Sequence, residues 1–323
     1  MNVTILGTGA YGLALSRMLM KNNCKITMWT AVESEYKMIK RYKCNRLALP
    51  GYTLDKSISI TTDMKEALSE AKLIVIAIPI KFLRNTLMEV KKYYNKKAHI
   101  CITSKGIEQN SCMFSYDIVK KVLKTNKIGI ISGGTFAVDM IQDMPMGLSV
   151  ASKNKQTNTV IKKYLENDLL KVDICSDVLG TQFWGSIKNV MAIGCGIIDG
   201  MKYPESSKSL FFTKCFKDIT DLVYEFGGNK STATTYAGIG DLYLTCNSIK
   251  SRNYTFGKMI GEKINKDYLD EYVETTTVEG YYTLKSFYKL IHKKKKKSKI
   301  IDILYTIVYG NGDLSLLVEF LKK

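Results

Sequence analysis

Short apolar runs alternate with helix-length amphipathic segments through the first half of the chain. This alternation is typical of strands and helices in a doubly wound α/β fold with a parallel sheet. A helix is expected between the first two strands, over residues 12–20, where four apolar side chains share one face. The predicted strands cover residues 3–7, 25–29, 58–61, 73–78, 99–103, 128–132, 147–151 and 172–175.

Helical periodicity replaces the strand pattern after residue 177. A glycine pair, Gly227-Gly228, supplies a stop for the second helical segment. We therefore expect two domains, an α/β domain at 1–178 and an all-helical domain at 179–323. The predicted helices cover residues 181–198, 207–226, 253–263, 278–292, 299–309 and 313–321.

A glycine-rich turn joins the first predicted strand to the first predicted helix. It reads Gly7-Thr8-Gly9-Ala10-Tyr11-Gly12, a G-x-G-x-x-G motif in the context of a Rossmann dinucleotide-binding domain. The glycines allow the tight turn and the approach of a pyrophosphate, while the helix N-terminus offers free N–H groups. The motif therefore predicts NAD or NADP as cofactor.

The choice between the two cofactors stays open in the sequence. The second strand ends in Trp29-Thr30-Ala31-Val32-Glu33, without an acidic residue or an arginine at the position that usually reads the ribose. Glu33, Lys37 and Arg41 are each candidates for that role.

Composition narrows the class of protein. No apolar run among the 323 residues approaches the roughly 18 needed to span a membrane, and no secretory signal is visible. The eight cysteines contain no C-x-x-C pair, so we expect reduced, buried thiols and no metal site. These features indicate a reducing, cytoplasmic location.

The formal net charge of +18 is compatible with nucleic acid, an acidic membrane surface or an anionic substrate. Lysines are dispersed along the chain, and the single dense run, Lys293 to Lys297, has no interleaved aromatic residues. Nucleic-acid grooves combine cations with aromatic side chains. We therefore expect a solvated surface loop at this run, no nucleic-acid partner, and steering of an anionic substrate by the distributed charge.

Acid–base chemistry is expected to fall to a lysine or a carboxylate, because neither His99 nor His292 is well placed for it. A lysine in the helical segment 181–198 either extends to solvent or is desolvated in a cleft, where a neighbouring cation such as Arg252 would help to lower its pKa. This lysine is Lys188, and its apolar neighbours are Trp184, Ile187, Val190 and Met191.

Anion-binding groups stand at two other places. Lys105 follows a predicted strand, at the sheet edge where α/β folds bind their ligands. Ser251 can cap a helix that begins at Arg252-Asn253, whose N-terminus and guanidinium suit a phosphate.

Taken together and in order, these segments resemble the NAD(P)-dependent glycerol-3-phosphate dehydrogenases, especially the bacterial form. The resemblance runs from residue 3 to about residue 290, and its most specific part extends from Gly238 to Asn253. The motifs that carry it, besides the N-terminal glycine loop, are Lys105-Gly106-Ile107-Glu108, Lys188-Asn189, Gly238-Ile239-Gly240-Asp241-Leu242, Ser251-Arg252-Asn253-Tyr254-Thr255-Phe256-Gly257 and Val278-Glu279-Gly280.

The resemblance implies a Rossmann domain, a C-terminal domain like that of 6-phosphogluconate dehydrogenase, and interconversion of dihydroxyacetone phosphate and sn-glycerol 3-phosphate for glycerophospholipid synthesis. It also implies that the enzyme is cytoplasmic and that two copies of the chain form a homodimer. Lys188 would be the acid–base residue, oriented with the substrate by Asn189 and Asp241. The substrate would be held by Lys105, Gly133, Thr135, Ser251, Arg252 and Asn253. The cofactor would contact Gly7, Gly9, Ala10, Tyr11, Gly12, Thr30, Phe82, Lys105, Ala137, Arg252, Val278 and Glu279.

Some segments depart from the family pattern. Gly134 stands where proline is usual, Asp139 replaces a glutamate, the segment 199–207 lacks the glycine-rich, asparagine-containing pattern, and Thr213-Lys214-Cys215 replaces Thr-Arg-Gly. These departures leave two alternatives open. One is a reductase of another small ketone, of ketopantoate or opine type, and the other is a dinucleotide-binding protein without turnover.

Overall fold

The computed structural model describes residues 1–310 and 312–323. The chain forms two compact units. The first contains Met1–Lys105 and Ser115–Val178, and the second contains Gly106–Phe114 and Leu179–Lys323. The division into domains at 1–178 and 179–323 stays a prediction. The nine residues of Gly106–Phe114 belong to the second unit, although they lie far earlier in the chain.

An eight-stranded sheet forms the centre of the first unit, in the order β3-β2-β1-β4-β5-β6-β7-β8. Residues in β1, β4, β5 and β6 are almost all buried, as expected for parallel strands covered on both faces. All eight strands were predicted within a few residues. Their bounds are β1 Asn2–Leu6, β2 Lys25–Trp29, β3 Ser59–Thr61, β4 Leu73–Ile76, β5 His99–Ile102, β6 Ile128–Ser132, β7 Met146–Ala151 and β8 Leu170–Cys175.

One pairing corrects the expectation of a wholly parallel sheet. Strand β7 runs antiparallel to β6, with Ile131 opposite Val150, and then pairs in parallel with β8. Thirteen residues separate Ser132 from Met146, and the helix among them, Ala137–Met140, is a single turn. Parallel neighbours are usually joined through a full-length crossover helix, which this connection does not contain, whereas an antiparallel neighbour needs none.

Seven helices accompany the sheet in the first unit. The first of them, α1, follows β1 directly and buries its apolar face, including Leu13, Leu15 and Leu19, in the core. Their bounds are α1 Ala10–Lys21, α2 Glu33–Tyr42, α3 Met64–Leu68, α4 Ile80–Tyr93, α5 Ser115–Leu123, α6 Ala137–Met140 and α7 Lys155–Leu165.

The second unit is helical. Its longest helix, α8, is apolar on every side and is buried along nearly its whole length, which makes it the centre of this unit's core. The helices that follow are α9 Glu205–Glu225, α10 Asp241–Cys246, α11 Arg252–Gly261, α12 Lys266–Thr275, α13 Glu279–Lys293, α14 Lys299–Tyr309 and α15 Ser315–Lys322, after α8 at Val178–Gly200.

Helices α8 and α11 approach each other backbone to backbone. A Cβ added at Gly196 would lie 2.1 Å from the carbonyl oxygen of Tyr254, and one at Gly257 would lie 2.0 Å from that of Ile193. Gly261 is restricted in the same way by the carbonyl of Ile197, at 2.3 Å. This contact fixes the start of α11 beside α8.

Two predictions about the helical unit had different outcomes. Helix α9 ends as expected at the glycine pair, where Gly227 adopts a φ of +93° and donates its N–H to Tyr224 O at 2.9 Å. Helices α10 and α12 were not predicted. Both are short, and α12 has no fully buried residue, although Leu269, Tyr272 and Val273 lie at helical spacing and pack half-buried against the core.

Other sequence-based expectations concern the surface and the thiols. In the part of the chain that the structure describes, no helix combines the length and apolar character needed to cross a bilayer. Six of the eight cysteines are buried and two are half-buried. The lysine run follows the end of α13, where four of its five side chains are exposed, in agreement with the predicted surface position.

Candidate active site

The three glycines of the N-terminal loop are required for different reasons. A Cβ at Gly7, where φ is +118°, would lie 2.4 Å from Ala77 O, and one at Gly12 would lie 2.5 Å from Gly7 O. A Cβ at Gly9 would meet nothing within 4 Å, and the backbone there has an ordinary φ of −70°. The fold itself therefore does not require glycine at position 9. The open approach to this backbone fits the place where a Rossmann loop receives the pyrophosphate.

The N-terminus of α1 complements a negatively charged group. No side chain caps Gly9, and the first turn of the helix contains no acidic residue. The start of α1 thus presents backbone N–H groups and the positive end of the helix dipole to phosphates. The start of α1 therefore suits the pyrophosphate of a dinucleotide.

Other residues predicted to contact the cofactor lie after strands of the same unit. Tyr11 and Thr135 share a hydrogen bond of 3.0 Å between their hydroxyl groups. Thr30 follows β2 and is buried, Phe82 lies exposed in the first turn of α4, and Ala137 begins α6. Their placement follows the rule that ligands bind near the carboxyl ends of parallel strands.

Lys105 and the loop after β6 meet within the first unit. The Lys105 ammonium donates a hydrogen bond to Ser132 Oγ, at the end of β6 and directly before Gly133. Gly133 packs against β7, where a Cβ would lie 2.6 Å from Gly147 O. This close approach is a sufficient reason for a glycine at position 133.

In the second unit, Lys188 forms an ion pair with Asp241. The Lys188 ammonium contacts Asp241 Oδ1, and the two side chains are 15% and 1% exposed. The burial decides between the two readings of Lys188, because a snorkelling lysine would place its ammonium in solvent. The bonded partner of Lys188 is the carboxylate of Asp241. Asp241 begins α10, although in isolation it reads as a turn residue.

Asn189, next along α8, belongs to a second polar group. Its Nδ2 donates to Glu279 Oε2 at 3.3 Å, and the N–H of Gly280 donates to Asn253 Oδ1 at 2.7 Å. A Cβ at Gly280 would lie 2.5 Å from Asn189 O. Val278, directly before this turn, is fully buried. The predicted residues of α8, α11 and α13 therefore lie together.

The start of α11 has the predicted cap. Ser251 Oγ accepts a hydrogen bond from the N–H of Tyr254 at 3.3 Å. Arg252 is exposed and Asn253 is buried, so the guanidinium projects from the helix N-terminus while the amide is held by its partner. This arrangement offers an anion a planar donor and helix N–H groups together.

Comparison with known proteins agrees with this geometry. The family model for the N-terminus of NAD-dependent glycerol-3-phosphate dehydrogenase matches residues 2–158, and the model for its C-terminus matches residues 177–319. The chain belongs to this family. Both domains of the family are thus present, and the resemblance seen in the sequence is confirmed.

Individual relatives cover nearly the whole chain. A glycerol-3-phosphate dehydrogenase [NAD(P)+] of Agathobacter rectalis is 31% identical over 307 residues, which are 95% of this chain and 91% of the relative. One of Bacillus subtilis is 31% identical over 99% of this chain and 93% of its own length. The crystal structure of the Coxiella burnetii glycerol-3-phosphate dehydrogenase superposes with a TM-score of 0.93 at 26% identity, covering 100% of this chain and 99% of that one.

The segment that departs most from the family pattern is tied together by ion pairs. Asp199 contacts the ammonium of Lys208, and its Oδ2 lies 3.1 Å from Lys258 Nζ. Burial works against ionisation of Asp199, but hydrogen bonds from the two lysines hold the pKa of its carboxyl below the ordinary value. The ion pairs of Asp199 thus link α8 to α9 and α11 in this segment.

One residue near the glycine loop was missed in the sequence. Glu35, in α2, accepts hydrogen bonds from the hydroxyls of Thr8 and Thr30. It lies two residues beyond Glu33, the acid that we considered, and on a helix instead of at the end of the strand. Its position, 23 residues after Gly12, was the available signal.

Proposed function

We propose that this protein interconverts dihydroxyacetone phosphate and sn-glycerol 3-phosphate by reversible hydride transfer with NAD(H) or NADP(H). The observation that carries the proposal is the buried pair of Lys188 and Asp241, which holds an ammonium in place in a chain of this family. The product would serve glycerophospholipid synthesis, as the family resemblance implies.

The first unit, within the predicted domain 1–178, would bind the dinucleotide. Gly9, Ala10 and Tyr11 would hold the pyrophosphate through backbone N–H groups at the start of α1. The bound cofactor supplies or accepts the hydride, and the protein supplies orientation and electrostatics. The other cofactor contacts that we propose are Gly7, Gly12, Thr30, Phe82, Lys105, Ala137, Arg252, Val278 and Glu279.

Lys188, in the predicted catalytic domain 179–323, would move the proton. When the ketone is reduced, negative charge develops on its oxygen, and the Lys188 ammonium donates a proton there; in the reverse direction the amine accepts it. Asp241 holds the ammonium in position through its carboxylate. Asn189 is fixed by Glu279 and would orient the substrate hydroxyl through its side-chain amide.

The phosphate of the substrate serves as a handle away from the reacting carbon. Arg252 would bind it through a planar guanidinium, assisted by the helix N-terminus that Ser251 caps and by Asn253. Lys105, Gly133 and Thr135 are the contacts that we propose from the first unit. Binding energy from this group positions the central carbon for hydride transfer.

Lys188→Ala is the variant that tests the acid–base role. We expect kcat to fall by about 100-fold to 10,000-fold, because general acid–base catalysis contributes about that much. Turnover is followed as loss of NADH or NADPH absorbance with dihydroxyacetone phosphate, and Lys289→Ala, an exposed lysine of α13, serves as the matched control.

Ketopantoate and a mixture of pyruvate with an amine are tested in parallel. Preference for either would overturn the phosphate substrate, and full activity of a folded Lys188→Ala protein would overturn the catalytic role. Nucleotide binding without turnover of any substrate would favour a binding protein.

Location and assembly follow from the same family reading. We propose a cytoplasmic enzyme that forms a homodimer. Fractionation of cells shows in which compartment the protein is found. Light scattering of the purified chain at several concentrations measures the mass of the assembly. A mass of one chain, near 36.5 kDa, at every concentration would exclude the dimer.

A further inference from the structure

Glu35 connects the two segments that surround the adenosine ribose in a Rossmann site. Its Oε2 accepts a hydrogen bond from the hydroxyl of Thr8, the middle residue of the first glycine turn. The same oxygen accepts from Thr30 Oγ1 at 3.1 Å, directly after β2. Both threonines are buried, so the Glu35 carboxylate is held at the carboxyl ends of β1 and β2, although Glu35 itself belongs to a helix.

The second oxygen of this carboxylate is available to a ligand. Within residues 1–310 and 312–323, both hydrogen bonds to Glu35 end on Oε2, and none ends on Oε1. Rossmann domains that bind NAD place an acidic oxygen at this edge, where it accepts a hydrogen bond from the ribose 2′-hydroxyl. The acid usually comes from the end of the second strand. In this chain a residue one turn into α2 reaches the same place.

The cations that could instead receive a 2′-phosphate have other partners. Lys37 Nζ lies 3.6 Å from Glu33 Oε1 on the exposed side of α2. The guanidinium of Arg41, near the far end of the helix, lies over the ring of Tyr42, 5.0 Å from its centroid. The guanidinium of Arg46 lies over the same ring at 5.2 Å, although its neighbour Asn45 donates a hydrogen bond to Thr8 O in the glycine loop. The charge fixed at the glycine loop is therefore negative.

We propose that Glu35 makes this site selective for NAD(H) over NADP(H). This inference rests on the proposed function for its reaction, but it concerns the binding of the dinucleotide alone. The carboxylate would accept a hydrogen bond from the 2′-hydroxyl of NAD(H). A 2′-phosphate carries close to two negative charges at neutral pH and would be repelled by a carboxylate a few ångströms away.

Glu35→Gln separates charge from shape. Glutamine keeps an oxygen acceptor for Thr8 and Thr30 but removes the negative charge. The matched control is Glu66→Gln, because Glu66 in α3 accepts in the same way from Thr61, the last residue of the neighbouring strand β3. Dissociation constants of NADH and NADPH are measured by fluorescence titration of the whole protein, and kcat/KM is measured separately with dihydroxyacetone phosphate.

We expect the wild-type protein to bind NADH at least about tenfold more tightly than NADPH, and Glu35→Gln to reduce that ratio at least about tenfold, chiefly through tighter NADPH binding. Glu66→Gln should leave the ratio unchanged. Glu35→Ala, which also lacks the acceptor, should lower the ratio and weaken NADH binding. Thermal unfolding of each variant verifies that it is folded.

Equal wild-type affinities, or a wild-type preference for NADPH, would overturn the proposal. So would a Glu35→Gln protein in which both affinities change by the same factor, since a structural role alone gives that result. Selective NADH binding that depends on Glu35, without turnover of dihydroxyacetone phosphate, would uphold this inference while overturning the proposed reaction.

Discussion

At the scale of single residues, the glycine loop separates what the fold needs from what a ligand needs. Gly7 and Gly12 are restricted by the protein's own carbonyl oxygens, at 2.4 and 2.5 Å from a hypothetical Cβ. Gly9 has no such neighbour within 4 Å. Its lack of a side chain is thus of use only to a molecule that approaches the loop.

Alanine substitution at these positions should therefore separate binding from stability. We expect Gly9→Ala to unfold at the wild-type temperature but to bind NADH at least about tenfold more weakly, a difference of about 1.4 kcal/mol. Gly12→Ala should lower the free energy of unfolding by about 2 kcal/mol, because its Cβ overlaps a backbone oxygen. Calorimetry and fluorescence titration measure the two quantities. Normal NADH affinity in Gly9→Ala would remove the assignment of the pyrophosphate to this loop.

Residues that act through neighbours in sequence could be predicted, and those that act through distant partners could not. The glycine loop and the Ser251 cap are local patterns with a known geometry. The pairing of Lys188 with Asp241 joins positions 53 residues apart, and the contact of Glu35 with Thr8 spans 27 residues. Only the family resemblance brought Lys188 and Asp241 together before the structure, and the one signal for Glu35 was its position 23 residues after Gly12.

At the scale of elements, the contact of α8 with α11 positions the polar groups of the second unit. Backbone oxygens of one helix face glycines of the other at distances that exclude any side chain. Asn189 lies on α8, and Asn253 lies on α11. A wider separation of these helices would move the two amides apart.

Gly257→Ala measures how much depends on this close approach. We expect the free energy of unfolding to fall by about 3 kcal/mol and kcat/KM to fall with it, because the Cβ would lie 2.0 Å from Ile193 O. Gly240→Ala is the control for stability, since its Cβ would have no neighbour nearer than 3.8 Å. Urea denaturation gives the free energy of unfolding of both variants, and steady-state kinetics give kcat/KM. An unchanged urea midpoint for Gly257→Ala would contradict the close contact of the two helices.

The junction of α9 with α14 should make stability depend on pH. Asp218, in α9, accepts a hydrogen bond from Ser298 Oγ at 2.6 Å, and burial raises the pKa of its carboxyl above the ordinary 3.8 despite that bond. A raised pKa means that the stability from the protonated form is complete below about pH 4 and is lost as the pH rises through the folded-state pKa. The ionised carboxylate is therefore a source of instability near neutral pH.

Asp218→Asn should accordingly stabilise the protein near pH 7 and have little effect near pH 4. Asp143 should give the opposite sign, because the hydrogen bond from Arg17 lowers the pKa of its carboxyl. Asp143→Asn is expected to destabilise the protein above about pH 4, with the loss disappearing as the pH falls. Urea midpoints across this range test both, and equal pH dependence of the two variants would refute the assignment.

The periodicity of the sequence predicted whether a segment forms a strand or a helix, but it did not predict the direction of a strand in the sheet. The run that became β7 has the same apolar character as the parallel strands, so its pattern carried no information about its antiparallel pairing with β6. Strand order also depends on long-range pairing that no local window contains. Helix α12 was missed although its Leu269, Tyr272 and Val273, which lie at helical spacing, pack half-buried against the core.

At the scale of the whole molecule, the net charge of +18 should act on encounter with an anionic substrate. The field of dispersed charges reaches about 30 Å at 0.01 M salt but about 8 Å at 0.15 M. We expect kcat/KM for dihydroxyacetone phosphate to fall several-fold across this range while kcat stays constant. Uncharged dihydroxyacetone, used as a poor alternative substrate, should show no such fall, and an equal fall would indicate a general effect of salt.

The segment Gly106–Phe114 has a consequence for synthesis of the protein on the ribosome. It packs with the second unit, where the ring of Phe114 lies 6.0 Å from that of Phe183 and 6.3 Å from that of Phe287. These partners are translated much later than the segment itself. In the nascent chain Ile107 and Phe114 therefore lack these partners until α8 and then α13 have been synthesised. During that interval the growing polypeptide presents an apolar loop to chaperones, and a truncated product would keep it exposed.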